Sequence, residues 1–198
     1  MIDDKSLQLD QTFNALQMPG DTLTEVEFDN CRFEHCDLSD AVLNRCRFID
    51  CVFEHCNLSN ISLSFSRLSD VQFSHCKMTG IDWTRLNWPQ TVFAAPMRFE
   101  HCRLHDTSFF GLQLDELEMR HCDAHHANFT ETSLENADLR HCDFSEAVFH
   151  ATNLKQADLT DAVNYAIDFR DCRIEGAIFS RMEATRLLDC LNIQLVDD

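Results

Sequence analysis

Large apolar residues recur at every fifth position along most of the chain. From Leu23 the series runs through Phe28, Phe33, Leu38, Leu43, Phe48, Phe53, Leu58, Leu63, Leu68, Phe73, Met78, Trp83, Trp88 and Phe93 without a polar member. After a slip of one residue it resumes as Phe99, Leu104, Phe109, Leu114, Met119, Ala124, Phe129, Leu134, Leu139, Phe144, Phe149, Leu154, Leu159, Asn164, Phe169, Ile174 and Phe179, with Ala124 and Asn164 its weak members. Two residues before these positions stands a smaller series that includes Val26, Cys31, Cys36, Ala41, Cys46, Cys51 and Cys56, then Cys102, Ala127, Ala137, Cys142, Ala147, Ala157 and Ala162. Asp, Asn, Arg, Ser, His and Glu fill the positions between.

A period of five fits neither the 3.6 of a helix nor the 2 of a plain strand. It fits a short extended side followed by a bend, in which residues i−2 and i point inward and i−1 points out. Four such sides close a coil of about 20 residues, and coils stack through backbone hydrogen bonds along the axis. The prediction is an all-β chain, a parallel β-helix of about eight coils with a filled interior. Residues 1–20 match the repeat poorly and are expected to form an N-terminal cap or leader, followed by the β-helix over 21–180. A register slip near 94–97, read as a one-residue bulge, is bracketed by Pro89 and Pro96. Trp83 and Trp88 take inward positions just before it and predict a locally widened core. Over 181–198 the period changes: Arg181 to Cys190 reads as helix and Leu191 to Val196 alternates as a strand, together a cap for the last coil.

Runs such as Cys31-Arg32-Phe33-Glu34-His35, Cys36-Asp37-Leu38-Ser39-Asp40, Ala137-Asp138-Leu139-Arg140-His141 and Ala157-Asp158-Leu159-Thr160-Asp161 resemble the A(D/N)Lxx consensus of pentapeptide repeat proteins, from about Leu23 to Phe179. The resemblance implies the right-handed quadrilateral β-helix of that family. The closing segment LLDCLNIQLVDD is similar to that of the Qnr, MfpA and albicidin-resistance type. It implies a C-terminal module in which Leu187, Leu188, Leu191, Ile193, Leu195 and Val196 join two rods end to end as a homodimer; a cap without dimerisation is the alternative. Asn44-Arg45-Cys46-Arg47-Phe48, Asp82-Trp83-Thr84 and Asn87-Trp88-Pro89 look like the albicidin-resistance branch. Such relatives protect DNA gyrase or topoisomerase IV from poisons by mimicking the bound DNA segment. The Qnr branch carries two projecting loops where this chain shows only the slip near Ala94, Ala95 and Pro96, so an action that depends on those loops does not carry over.

Charge sharpens this expectation. Lys and Arg total 16 against 34 Asp and Glu, a formal net charge of −18 over 198 residues. That balance argues against direct binding to nucleic acid or anionic membranes, and no run of 18 apolar residues spans a bilayer. If the slip preserves the order of faces, Glu34, Glu54, Asp115, Glu135 and Glu175 share one face and Asp50, Asp70, Glu131 and Asp171 the neighbouring corner, an acidic edge for a protein partner. Eight coils at about 4.8 Å make a rod of roughly 40 Å. Its charge is about one per 2 Å, against about one per 1.7 Å for duplex DNA.

The 11 Cys and 10 His invite chemistry. Ten of the Cys hold the i−2 position, which favours small interior filler over disulfides, and with no signal-peptide pattern over Met1 to Gly20 the expectation is free thiols in the cytoplasm. Six His-Cys dipeptides, at residues 35, 55, 75, 101, 121 and 141, place His outside and Cys inside, so one ion cannot collect both. No metal, cofactor or catalytic motif is predicted. The expectation is therefore a cytoplasmic, non-enzymatic DNA mimic that binds a type II topoisomerase and relieves an antibiotic or toxin; the alternative is a pentapeptide repeat scaffold or regulator with a different protein partner.

Overall fold

Each five-residue unit turns at a residue in the left-handed region. In the computed structural model, which describes residues 2–88, 95–194 and 196, φ lies between +50° and +61° at regular five-residue steps, as at Asp10, Asn30, His35, Asp40, Asp50, His55 and Asn60. Among residues with a side chain, Asn, Asp and His enter this region most readily, and they dominate these corners. The corner N–H donates to a carbonyl one coil on: His35 N to Glu54 O at 3.0 Å, and Asn30 N to Ile49 O at 2.9 Å.

Between corners the chain forms strands of two to four residues or single bridges, paired in parallel with their counterparts in adjacent coils. Leu7–Leu9, Glu27–Asp29, Arg47–Ile49 and Arg67–Ser69 build one ladder. Thr12–Asn14, Arg32–Glu34, Val52–Glu54, Val71–Ser74, Met97–Glu100 and Glu118–Arg120 build another. The result is a parallel β-solenoid of about eight turns. Identical inward residues therefore stack: Phe33 lies 4.4 Å from Phe53, nearly coplanar at 3°, while Phe28 meets Phe33 edge-on at 5.3 Å and 68°. Offset stacks along the axis and edge contacts across it are the two favoured aromatic geometries, and they coexist in one core.

The i−2 series has a polar task as well as a packing one. The Cys36 thiol donates to Phe13 O at 3.2 Å, Cys56 to Phe33 O at 3.3 Å, and Cys76 to Phe53 O at 3.4 Å. Where the position is Ser or Thr the bond is the same: Ser66 Oγ to Leu43 O at 2.7 Å, and Thr132 Oγ1 to Phe109 O at 2.8 Å. A small side chain with one donor fills the corner and satisfies a buried carbonyl of the preceding coil. All the cysteines are free.

The structure corrects four expectations. Within the segment expected to be a cap or leader, residues 2–20 form the first coil: Leu7–Leu9 and Thr12–Asn14 pair with the second coil and Phe13 stacks on Phe33 at 4.9 Å. The polar Gln8 opposite Phe28 hides the period there. The slip is not one residue. Phe73 pairs with Phe99 and Lys77 with Arg103, so this coil is 26 residues long where its neighbours have 20. Asn87 still stacks on the preceding coil and Ala95 on the following one, so the six extra positions are 89–94, which, with Pro89, Phe93 and Ala94, lie outside the described residues. Trp83 is buried at the start of the 3₁₀ turn Trp83–Arg85, and half-buried Trp88 donates from Nε1 to Trp83 O at 3.0 Å. Thirdly, Asn164 and Phe169 leave the inward series: Asn164 takes a corner at φ 60° and Phe169 is exposed, while Tyr165 and Ile167 turn in. Finally, Glu183–Leu191 is helical, of 3₁₀ type, but Asn192 to Gln194 form no strand; Leu195 lies outside the described residues.

Phe99 stacks on Phe73 and meets Trp83 and Phe109 edge-on. Phe99→Ala is expected to lower stability to chemical denaturation by about 3–5 kcal/mol, and exposed Phe110→Ala by under about 0.5 kcal/mol. Equal effects would contradict this assignment of the long coil.

Candidate functional site

A solenoid without a hollow places its chemistry on the outside, in columns one residue wide. The long coil decides which acids share a column. Six extra residues are one whole side plus one, so every downstream face is turned by one side relative to the expected alignment. Glu34 and Glu54 continue through Ser74 to Glu100, Arg120 and Arg140. Asp115, Glu135 and Glu175 form a separate column, interrupted by Lys155. Asp50 and Asp70 hold one corner, whereas Glu131 lies on another, below Gly111. Asp171 is engaged, its carboxylate accepting from Ala151 N at 2.6 Å and pairing with His150 at 2.8 Å. The single acidic edge expected from the sequence is thus several shorter acidic columns on different sides of the rod.

Basic residues sit among them as partners. Arg32 bridges Glu34 and Glu54 at 2.8 and 2.9 Å, and Arg47 pairs with Glu27 at 3.0 Å. Arg140 grips Asp138 with two bonds of 2.7 and 2.8 Å while Arg120 approaches from the adjacent coil. Partial burial raises the Asp138 carboxyl, but the bonds from Arg140 and Arg120 outweigh it and bring it down to about 2. One region is cationic: Arg45, Arg47 and Arg67 line a shallow depression of about 390 Å³ with Phe65 and Asn87. Phe65 occupies a corner at φ 60°, is 63% exposed, and lies under the Arg45 guanidinium at 5.6 Å.

The six His-Cys dipeptides all fall in register. His35, His55, His75, His101, His121 and His141 form one uninterrupted ladder of parallel imidazoles, with centroids 4.4 to 5.1 Å apart. A five-residue count linked the first three. Only the 26-residue coil brings the other three onto the same corner. Desolvation in the stack, then repulsion from His141 and His101, lowers the His121 pKa. Inside the same corner lie six thiols, and burial pushes Cys36 up to about 11 and Cys122 well above its usual value. Cys36 and Cys122 are thereby held protonated, and their thiols serve as hydrogen-bond donors to Phe13 O and Arg120 O rather than as nucleophiles.

At the C-terminal end, Glu183 accepts from Asn164 N and from Arg186, and Arg186 reaches back to Asn164, which ties the helix to the last coils. Leu187 packs against the core and Leu188 is half-buried. Leu191, Ile193 and Val196 are exposed at 40%, 52% and 91%. No helix among the described residues is long and apolar enough to cross a membrane.

The sign of the Asp138 shift fixes a pH response. Its folded pKa lies below the ordinary 3.8, so its stabilisation is complete above about pH 4 and is lost as pH falls through about 2. Allowing for the half-exposed arginines, Asp138→Asn is expected to remove about 1 kcal/mol at neutral pH and to flatten denaturation midpoints between about pH 4 and 2. An acid limb identical to wild type would refute the assignment.

Comparison with known proteins agrees with this architecture. A model of the pentapeptide repeat region matches residues 26–95, and one of pentapeptide repeats in eight copies matches 127–163, together more than half of the chain. Two solved structures of trypsin-treated variants of QnrB1, a plasmid-mediated fluoroquinolone resistance protein, are similar in fold. One has a TM-score of 0.72 at 17% identity and the other 0.70 at 18%, each over 98% of this chain and 99% of that one. No curated protein matches the sequence. With its corners, stacked interior and matched repeats, the chain belongs to the pentapeptide repeat proteins.

Proposed function

We propose that this protein is a non-enzymatic DNA mimic that binds a type II topoisomerase, DNA gyrase or topoisomerase IV, in the cytoplasm and protects it from an antibiotic or toxin. The observation that carries this reading is a net charge of −18 on a stiff rod of roughly 40 Å, near the linear charge density of duplex DNA. Acids distributed over several sides suit the reading better than a single edge, because DNA is negative all round. A basic groove that grips DNA attracts such a rod over distances of about a Debye length. The likeness in fold to QnrB1 supports the same reading. The exposed Leu191, Ile193 and Val196 support a homodimer joined at this end, since apolar side chains at a solenoid end gain by mutual burial.

A second reading, a scaffold for a different protein, is favoured by the depression around Arg45, Arg47 and Arg67. The Arg45 and Arg67 guanidiniums beside an exposed Phe65, with Arg47 held by Glu27, serve no DNA likeness and suit an acidic protein segment.

A supercoiling assay tests the first reading. The protein is expected to inhibit gyrase or to restore its activity in the presence of a poison, and the triple reversal Glu34→Lys, Glu54→Lys and Glu100→Lys to raise the concentration needed by about tenfold or more. Neither effect from the unaltered protein would sink the topoisomerase reading. For the dimer, Ile193→Asp is expected to halve the mass measured by light scattering; an unaltered protein that is monomeric, or a variant that stays dimeric, excludes this interface.

A further inference from the structure

On one side of the rod, three coils carry Asp or Asn just before the inward side chain and Ser just after it, and the two bond to each other. Asp37 accepts from Ser39, Asn57 from Ser59 and Asp143 from Ser145. Lys77 and Thr79 depart from this pairing, and so do the two coils that follow them. In the first of these two, Arg103 and His105 replace the pair, so His105 has no carboxylate two residues before it. In the next, His125 follows Asp123 in place of Ser. His105 therefore reaches across the coil step, with Nε2 2.6 Å from Asp123 Oδ2, while His125 Nδ1 meets Asp123 Oδ1.

One ligand atom from each of the three residues lies within 4.8 Å of the other two. His105 Nε2 is buried, and its short contact with Asp123 lacks the direction of a hydrogen bond. The two rings are 5.2 Å apart and tilted by 53°. That tilt distinguishes them from the six-imidazole ladder, whose rings are parallel to within 16° and whose lone pairs cannot converge on one ion. The three side chains are each about one-third exposed, so one side of the group opens to solvent. The adjacent Asp143 is engaged by Ser145 and Asn164, leaving Asp123 as the single carboxylate of the cluster.

We propose that His105, Asp123 and His125 form a binding site for a divalent transition-metal ion, zinc foremost. Two imidazole nitrogens and one carboxylate oxygen are ligands that zinc takes at about 2.0–2.2 Å, with a fourth, solvent-facing position left for water or a side chain of a bound protein. The imidazole pair selects against calcium and magnesium, which take oxygen ligands. The site is independent of the topoisomerase reading and stands on a different side chain set.

Titration of the untagged full chain with Co²⁺, followed by displacement with Zn²⁺, tests it. The expected result is one ion per chain with visible d–d absorption, bound about tenfold or more weakly by Asp123→Asn and by His105→Gln, and unchanged by His121→Gln in the parallel ladder. Circular dichroism checks that each variant keeps the fold, and His105→Gln carries the test if Asp123→Asn does not. Absence of binding, a thiolate-to-cobalt charge-transfer band, or equal weakening by His121→Gln would overturn the proposal.

Discussion

The structure depends on the corner hydrogen bond that passes from one coil to the next. Most corner residues, held at a positive φ near +55°, donate their N–H to the coil ahead, as His35 does to Glu54. The bond repeats only if successive coils contribute equivalent positions. Every other feature inherits that constraint. Because position n stacks on its counterpart one coil away, like residues lie on like residues, and the protein becomes a set of columns, each with its own chemistry. Phe columns form the aromatic core, Cys, Ser and Thr columns satisfy the carbonyls that the bends leave inside, and His columns stack on the outside.

The same constraint explains how a single local change re-sorts the surface. A coil of 26 residues keeps the hydrogen bonds on either side intact, since Val71–Ser74 pairs with Met97–Glu100 in full register. It nonetheless moves all downstream sequence by one side. Glu54 consequently lies in line with Glu100, Arg120 and Arg140 and not with Asp115 and Glu135. Just before the insertion Trp83 lies buried in a 3₁₀ turn, and Trp88 donates from its indole N–H to Trp83 O. Functionally the insertion distributes negative charge around the rod and completes the histidine ladder.

Columns also bring residues together that neither packing nor sequence proximity would pair. Asp138 is clasped by arginines of its own and the preceding coil, and Asp123 is shared by histidines one coil apart. Such clusters are built from side chains about 18 to 20 residues apart, and each rests on a one-coil step.

The sequence by itself determined the inward series from Leu23 onward, the small i−2 series, the solid interior and the net charge of −18. These are properties of one five-residue unit, and the physics that sets them, inward burial and an extended side followed by a bend, is local. Tertiary structure alone decided which units face the same way. A count modulo five cannot distinguish an insertion of one residue from one of six, whereas the stacking of whole coils can, since it senses position modulo 20. For the same reason the first coil was hidden by Gln8, Tyr165 displaced Asn164 from the core, and the ladder from His35 to His141 and the cluster of His105, Asp123 and His125 emerged only from the stacked coils.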